Sequence, residues 1–239
     1  MTYSLMIKKF CLLFLLLGVF ACELNQNSNT SAQKGSKNGL VHTYNEDGTI
    51  SASIFYKDNI RNGLAKDFYE DGSLRAEIEY VDGLKEGDAK WYYKNGNLFR
   101  LTKYKNGERH GVQKKFYDGG GLISEAEFFE NHPGIGLKEY SKSGNERKSR
   151  SEITAEKKKT NPDGSLVYEI SVNNNVKEVD LYTGPLKNDR FLHDQMLGIN
   201  KVANKGLVTL EKDQNKLLLS ASYKTRYDNY RVLQGFIQR

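Results

Sequence analysis

The sequence predicts a mainly β protein: an elongated antiparallel sheet of stacked 24-residue β-hairpin repeats, followed by a small mostly-β or α+β C-terminal module. Three observations carry this prediction. Glycine recurs at Gly48, Gly72, Gly96, Gly120 and Gly144, always 24 residues apart. An aromatic residue keeps the same step four places earlier, at Tyr44, Phe68, Tyr92, Phe116 and Tyr140. The residues after each glycine mostly alternate apolar and polar, as a half-buried strand does. Two columns in register over five copies mark a repeat protein, and stacked like units present a surface rather than one special pocket.

Residues 1–21 read as a lipoprotein signal peptide. Lys8 and Lys9 form a basic start, Phe10 to Phe20 is a nearly unbroken apolar run, and Ala21 offers a small residue at its end. The run falls short of the roughly 20 apolar residues that a permanent membrane helix needs. Val19-Phe20-Ala21-Cys22 resembles the lipobox of bacterial lipoproteins, with an ordinary signal peptide as the alternative. The resemblance implies that Cys22 is acylated, becomes the mature N-terminus and inserts its lipid into a membrane of the bacterial cell envelope, inner or outer. Cys11 lies inside the signal, so Cys22 is expected to be the only cysteine of the mature chain. An internal disulfide, thiol catalysis and a cysteine-based metal site are then excluded. Residues 22–38 have one leucine, no aromatics and many Asn, Ser and Gln. Such a segment buries too little to offset chain entropy, and it reads as a flexible tether.

Residues 39–144 hold five repeats. The second is the clearest, with the first turn at Glu70-Asp71-Gly72 and the second at Asp82-Gly83. Asp-Gly and Asn-Gly are strong hairpin signals because glycine accepts φ > 0 without a Cβ clash. Leu74, Ala76, Ile78 and Tyr80 fall on one strand face, and Arg75, Glu77 and Glu79 on the other. In the third copy Arg100 and Thr102 occupy the apolar column. Five hairpins make ten strands, an array about 45–50 Å long.

The pattern Gly63…Phe68-Tyr69…Gly72 recurs as Gly87…Tyr92-Tyr93…Gly96 and Gly111…Phe116-Tyr117…Gly120. It resembles the bacterial variant of the MORN repeat, often labelled an antitoxin-component type. The first copy, Gly39…Tyr44-Asn45…Gly48, lacks the second aromatic, and the fifth carries Ser141 there. Worn end copies are what capping units look like. The resemblance covers residues 39–144 and implies an elongated, twisted sheet of stacked hairpins.

Residues 145–164 read as a linker or a degenerate sixth repeat, because Asp163-Gly164-Ser165-Leu166 repeats Asp71 to Leu74. In the C-terminal module, residues 165–239, strands are expected at Leu166–Val172, Val176–Tyr182, Gly206–Glu211, Leu217–Tyr223 and Tyr230–Ile237. Asp189 to Ala203 reads as a helix, with Phe191, Leu192, Gln195, Met196 and Ile199 near one face.

The chemistry is sparse. None of His42, His110, His132 and His193 has the sequence neighbours of a zinc site, so no metal or cofactor is expected. Residues 39–144 carry 15 basic and 17 acidic side chains, and 145–239 carry 17 and 12. Export makes nucleic acid an unsuitable partner for the basic half. Lys66, Lys90, Lys114 and Lys138, with His42, form one column whose members stand about 10 Å apart. The column either keeps the face soluble or meets an anionic partner. Tyr69, Tyr93 and Tyr117 form a second column that either packs hairpins together or grips a ligand. Glu77 with Glu79, and Glu125 with Glu127, sit side by side on one face and read as a charge ladder rather than a catalytic pair. The expected function is non-catalytic: a lipid-anchored envelope protein that binds or scaffolds a protein or envelope polymer through its repeat sheet. An envelope immunity or antitoxin-like protein is the alternative. An envelope hydrolase built on His193 and Asp194 ranks third.

Overall fold

The computed structural model describes residues 36–174, 176 and 178–239. The expected signal, Cys22 and most of the tether lie outside the described residues. Twelve strands form one antiparallel sheet. They are β1 Gly39–Tyr44, β2 Ile50–Lys57, β3 Ile60–Phe68, β4 Leu74–Val81, β5 Leu84–Lys85, β6 Gly87–Tyr92, β7 Leu98–Lys105, β8 Glu108–Arg109, β9 Gly111–Phe116, β10 Leu122–Phe129, β11 His132–Pro133 and β12 Lys138–Glu139. The sheet follows chain order because every connection is tight. β5 and β6 are two parts of one strand position, as are β8 and β9. Glu86 N bridges the first break by donating to Glu79 O at 3.0 Å, and His110 N bridges the second by donating to Lys103 O at 2.9 Å.

Two kinds of turn alternate along this sheet, and each has a local cause. Between repeats, both central residues take positive φ: 47° and 83° at Asp82-Gly83, 52° and 85° at Asn106-Gly107. This geometry matches the right-handed twist of the flanking strands. Within repeats the loop is a three-residue turn ending in a left-handed glycine, rather than a bare two-residue Asp-Gly turn. Gly72 has φ 81°, its N–H donates to Tyr69 O at 2.9 Å, and Tyr69 N donates to Ser73 O at 2.8 Å. Asp71 Oδ1 accepts from Ser73 N at 3.0 Å and fixes the corner. Those hydrogen bonds, the Ser73 hydroxyl first, hold the Asp71 carboxyl below its ordinary range.

The fifth repeat is half a hairpin. Its turn forms, with Ser141 N donating to Asn145 O at 2.9 Å, but the return strand shrinks to a single bridge between Tyr140 and Glu146. The sheet therefore runs β1-β2-β3-β4-β6-β7-β9-β10-β11, nine strand positions where five full hairpins require ten. Residues 146–152 read Glu-Arg-Lys-Ser-Arg-Ser-Glu and have no apolar side chain to lay on a sheet face.

The stretch 145–164 contributes β13, Ile153–Thr160, which pairs with β14, Leu166–Val172. The turn between them copies the repeat turn: Asn161 N donates to Ser165 O and Gly164 N to Asn161 O, both at 2.9 Å. This hairpin joins a second sheet, not the array. The remaining strands are β15 Asp180–Thr183, β16 Leu197–Gly198, β17 Lys201–Val202, β18 Lys205–Leu210, β19 Lys216–Lys224 and β20 Tyr230–Gln238. Two four-stranded sheets result, β13-β14-β18-β17 and β16-β15-β19-β20. Ile170 and Leu210 of the first share a core with Leu181, Leu219 and Ala221 of the second, all essentially inaccessible. Full burial of each large apolar side chain contributes about 1.5–3 kcal/mol, and this is the largest apolar cluster among the described residues.

The helix expected over Asp189–Ala203 is a correction, since no helix occurs among the described residues. Asp189 (φ 57°) and Ala203 (φ 50°) are left-handed, which no α-helix tolerates. The helix-like spacing instead serves separate contacts. Phe191 packs on Gly134, Leu192 and Met196 join a small cluster with Leu186 and Val232, and Ile199 packs on the sandwich core.

Candidate functional site

Side chains opposite one another in an antiparallel pair point to the same face. Following the register across the sheet separates two faces. One carries the row His42, Ser53, Lys66, Glu77, Lys90, Leu101, Lys114, Glu125 and Lys138. The other carries Val41, Ile54, Ala65, Ile78, Ala89 and Thr102 along its middle.

The tyrosine column is internal glue. Tyr69 OH donates to Tyr92 O at 2.7 Å, Tyr93 OH to Phe116 O at 2.8 Å, and Tyr117 OH to Tyr140 O at 2.9 Å. Each phenol thus reaches one repeat forward and satisfies a backbone carbonyl near the end of the next strand. Asn45 and Ser141 stand at the same place in the end copies and have no phenol to offer.

The expected lysine column exists as one row, but glutamates interleave it. Lys66 Nζ lies 3.4 Å from Glu77, and Lys114 Nζ lies 3.1 Å from Glu125. Glu77 also accepts from Tyr92 OH at 2.8 Å. Burial, and then this hydrogen bond to an anion, push the Tyr92 phenol up to about 12. Lys90 and Lys138 stand across the strand from Glu77 and Glu125. The row is therefore largely charge-compensated.

The opposite face behaves differently. A second cation column runs Lys37, Arg61, Lys85 and Arg109, again at 24-residue steps. Each cation lies over the aromatic ring 19 residues ahead: Lys37 on Tyr56 at 5.1 Å, Arg61 on Tyr80 at 5.3 Å, Lys85 on Tyr104 at 5.0 Å and Arg109 on Phe128 at 4.1 Å. Arg100 is stacked on Trp91 at 3.8 Å, and its buried Nε has no hydrogen-bond partner among the described residues. Burial, then the positive charges of Arg100 and Arg61, hold the Lys85 ammonium below its ordinary range. Burial does the same to the Arg100 guanidinium. Arg61 goes the other way, raised first by its hydrogen bond with Tyr56. The cations rest on rings, and among the described residues no ion pair joins them to a carboxylate. The signal was available in the sequence as a basic column two residues before each repeat-opening glycine.

The C-terminal sandwich grips the far end of the sheet. The turn joining β19 to β20 sets Thr225 and Asn229 against the buried carboxylate of Glu139. Thr225 Oγ1 donates to Glu139 Oε1 at 2.5 Å, and Asn229 Nδ2 donates to the same oxygen at 2.9 Å. Arg231 lies 3.4 Å from the other oxygen. Lys115, buried, donates to the carbonyls of Tyr227 at 2.9 Å and Asp228 at 3.0 Å. Phe191 packs so closely on Gly134 that a Cβ there would stand 2.8 Å from the ring. Arg190 pairs with Glu127 at 2.6 Å, and Lys187 pairs with Glu130.

Beside this joint lies a cleft of about 410 Å³, lined by Arg109, His132, Tyr182, His193, Asp194 and Tyr230 among others. His193 and Asp194, adjacent in sequence, turn to different partners. His193 Nε2 meets Pro185 O at 3.0 Å, while Asp194 lies 3.5 Å from His132 of the repeat sheet. Among the described residues, no group of three or more His, Cys, Asp or Glu side chains is placed to hold a metal ion.

The family model described as the MORN repeat variant matches residues 61–82, 85–106 and 109–131. These are three consecutive copies, and they include the three whose glycine and aromatic pattern is complete. Each matched stretch opens on a cation of the stacked column, Arg61, Lys85 or Arg109. No curated protein matches the chain.

Proposed function

We propose that this protein is a non-catalytic binding or scaffold module, held at a membrane of the bacterial envelope by an acylated Cys22, that engages a protein or envelope component through its repeat sheet. One observation carries the binding part. The sheet spends its tyrosine column on internal hydrogen bonds and pairs Lys66 and Lys114 with glutamates, yet keeps a row of cations on aromatic rings that form no ion pair with a carboxylate among the described residues. MORN repeats generally serve as binding and scaffold modules, which supports the same reading. The anchor rests on the Ala21-Cys22 pattern and on the polar tether that follows it.

Two experiments test these parts separately. Radiolabelled palmitate is expected to label the wild-type chain and not Cys22→Ala; equal labelling removes the anchor. A photo-crosslinking residue placed on either sheet face in intact cells is expected to capture a defined partner from one face. Capture of nothing from both faces removes the binding module.

A further inference from the structure

The cations on aromatic rings define a ligand more closely than the word binding does, and the step taken here rests on the binding-module reading. We propose that the face bearing Arg61, Lys85, Arg100 and Arg109 binds an acidic protein segment in polyproline-II conformation, with a carboxylate at every third residue and apolar residues between.

The spacing comes first. Arg61, Lys85 and Arg109 recur once per repeat, so neighbours stand about 10 Å apart, two strand spacings. Polyproline II has three residues per turn and rises about 3.1 Å per residue, which returns one side chain to the same side about every 9.3 Å. A carboxylate every third residue therefore meets one cation per repeat. A β-extended segment presents every second residue to one face and falls out of step.

The chemistry comes second. The floor beside the cations is the apolar row Val41, Ile54, Ala65, Ile78 and Ala89, in which Val41, Ile54 and Ile78 are half-buried and Ala65 and Ala89 are buried. Tyr56, Tyr80 and Tyr104 stand among the cations as half-buried or buried ring walls. Aromatic-lined grooves suit a preformed polyproline-II segment, which loses little entropy on binding. A polyphosphate chain matches the charge and leaves the apolar floor without a partner. Arg100 supplies a second cation on the far side of the floor, opposite Trp91 in register. Arg100 stands across the strand from Lys115, which donates to the carbonyls of Tyr227 and Asp228, and Arg109 lines the cleft with Tyr182 and Tyr230, so the column meets the sandwich at its Arg109 end; among the described residues no hydrogen bond or ion pair joins the sandwich to Arg61 or Lys85.

The test uses the full chain in detergent and fluorescence polarisation of a labelled synthetic peptide, four repeats of Glu-Pro-Leu. A scrambled peptide with its acids clustered, and inorganic polyphosphate as competitor, serve as comparisons. The periodic peptide is expected to bind at low salt at least ~10-fold more tightly than the scrambled one and to weaken as salt rises. The double variant Arg61→Ala with Lys85→Ala is expected to lose at least ~10-fold. The opposite-face double variant Lys66→Ala with Lys90→Ala is expected to stay within about twofold, and Arg61→Lys is expected to retain most of the binding. Circular dichroism confirms that each variant is folded. No binding by the periodic peptide, equal binding by the scrambled one, equal loss from both faces or full displacement by polyphosphate at equal charge each overturns the proposal. A partner crosslinked in cells from this face, with no peptide binding, removes the acidic-segment chemistry and keeps the binding module. No crosslink from either face removes both.

Discussion

Tyr92 OH donates to Glu77 Oε2 at 2.8 Å, and the pair recurs two repeats later as Tyr140 and Glu125 at 3.3 Å. The copy between them carries Phe116 with Leu101, and the copy before them carries Phe68 with Ser53. From the second copy onward, phenol and acid appear together or not at all. A buried hydroxyl without an acceptor costs free energy, and so does a buried carboxylate without donors. The array thus has a two-repeat rhythm laid over its one-repeat fold.

This pair gives a pH prediction. The Tyr92 phenol is raised from its ordinary 10.0 to about 12, first by burial and then by Glu77. A raised folded-state value means the neutral form is favoured by folding. The associated stability is complete below pH 10 and is lost as pH rises toward about 12. The chemical-denaturation midpoint of the wild type is expected to fall across that window, and Tyr92→Phe to fall less steeply. Identical slopes rule out Tyr92 as a contributor.

The tyrosine ties predict small, separable losses. Tyr69→Phe, Tyr93→Phe and Tyr117→Phe each remove one hydrogen bond to a carbonyl of the next repeat. Each is expected to cost about 0.5–1.5 kcal/mol in denaturant melts. Tyr69→Phe and Tyr93→Phe are expected to add nearly independently, because each phenol joins a different pair of repeats. Tyr117 also meets Tyr227 OH at 2.9 Å, so its variant is expected to lose more.

Glu139 predicts a larger loss. Its buried carboxylate collects Thr225, Asn229 and Arg231 and fastens the sandwich to the sheet. Glu139→Ala leaves the buried Asn229 amide, the half-buried Thr225 hydroxyl and the half-buried Arg231 guanidinium without this acceptor, a loss on the order of 3 kcal/mol. Limited proteolysis is expected to cut the turn at 225–229 in this variant and to spare it in the wild type. Unchanged protection at that turn removes Glu139 as the fastening point.

How much of this was legible in the sequence follows from locality. The repeat phase, the turn glycines and five of the sandwich strands depend on neighbours within a few residues, and the pattern placed them closely; only the strand at 176–182 begins later, at Asp180. The tyrosine ties span 23 residues, almost one period, so the column was visible while its role was open. Glu139 with Asn229 spans 90 residues and leaves no periodic trace. Leu192 and Met196 imitated a helix face because two contacts of one small cluster fell four residues apart. The cation column had the same 24-residue step as the lysine row, but only the folded sheet shows that its members rest on rings while Lys66 and Lys114 pair with glutamates.

The repeat also predicts which deletions the fold accepts. Removing Gly63 to Glu86 deletes 24 residues and joins Asn62 to Gly87. Gly63 and Gly87 both have positive φ, 109° and 70°, so the junction keeps its backbone shape. Ala89 then takes the place of Ala65 opposite Ile54, and Lys90 that of Lys66 opposite Ser53. Every side chain stays on its face, and the main substitution is Trp91 for Asp67 beside Ala52. One tyrosine tie is lost, from Tyr69 to Tyr92. Removing only Gly63 to Leu74 joins Asn62 to Arg75, deletes the turn glycine Gly72 and leaves β4 without its hairpin partner β3. The first variant is expected to unfold cooperatively, with a denaturant slope reduced in proportion to the surface it no longer exposes. The second is expected to lose cooperativity over the N-terminal half while the sandwich persists. Equal cooperativity in the two variants means the 24-residue hairpin is not the unit in which this sheet is built.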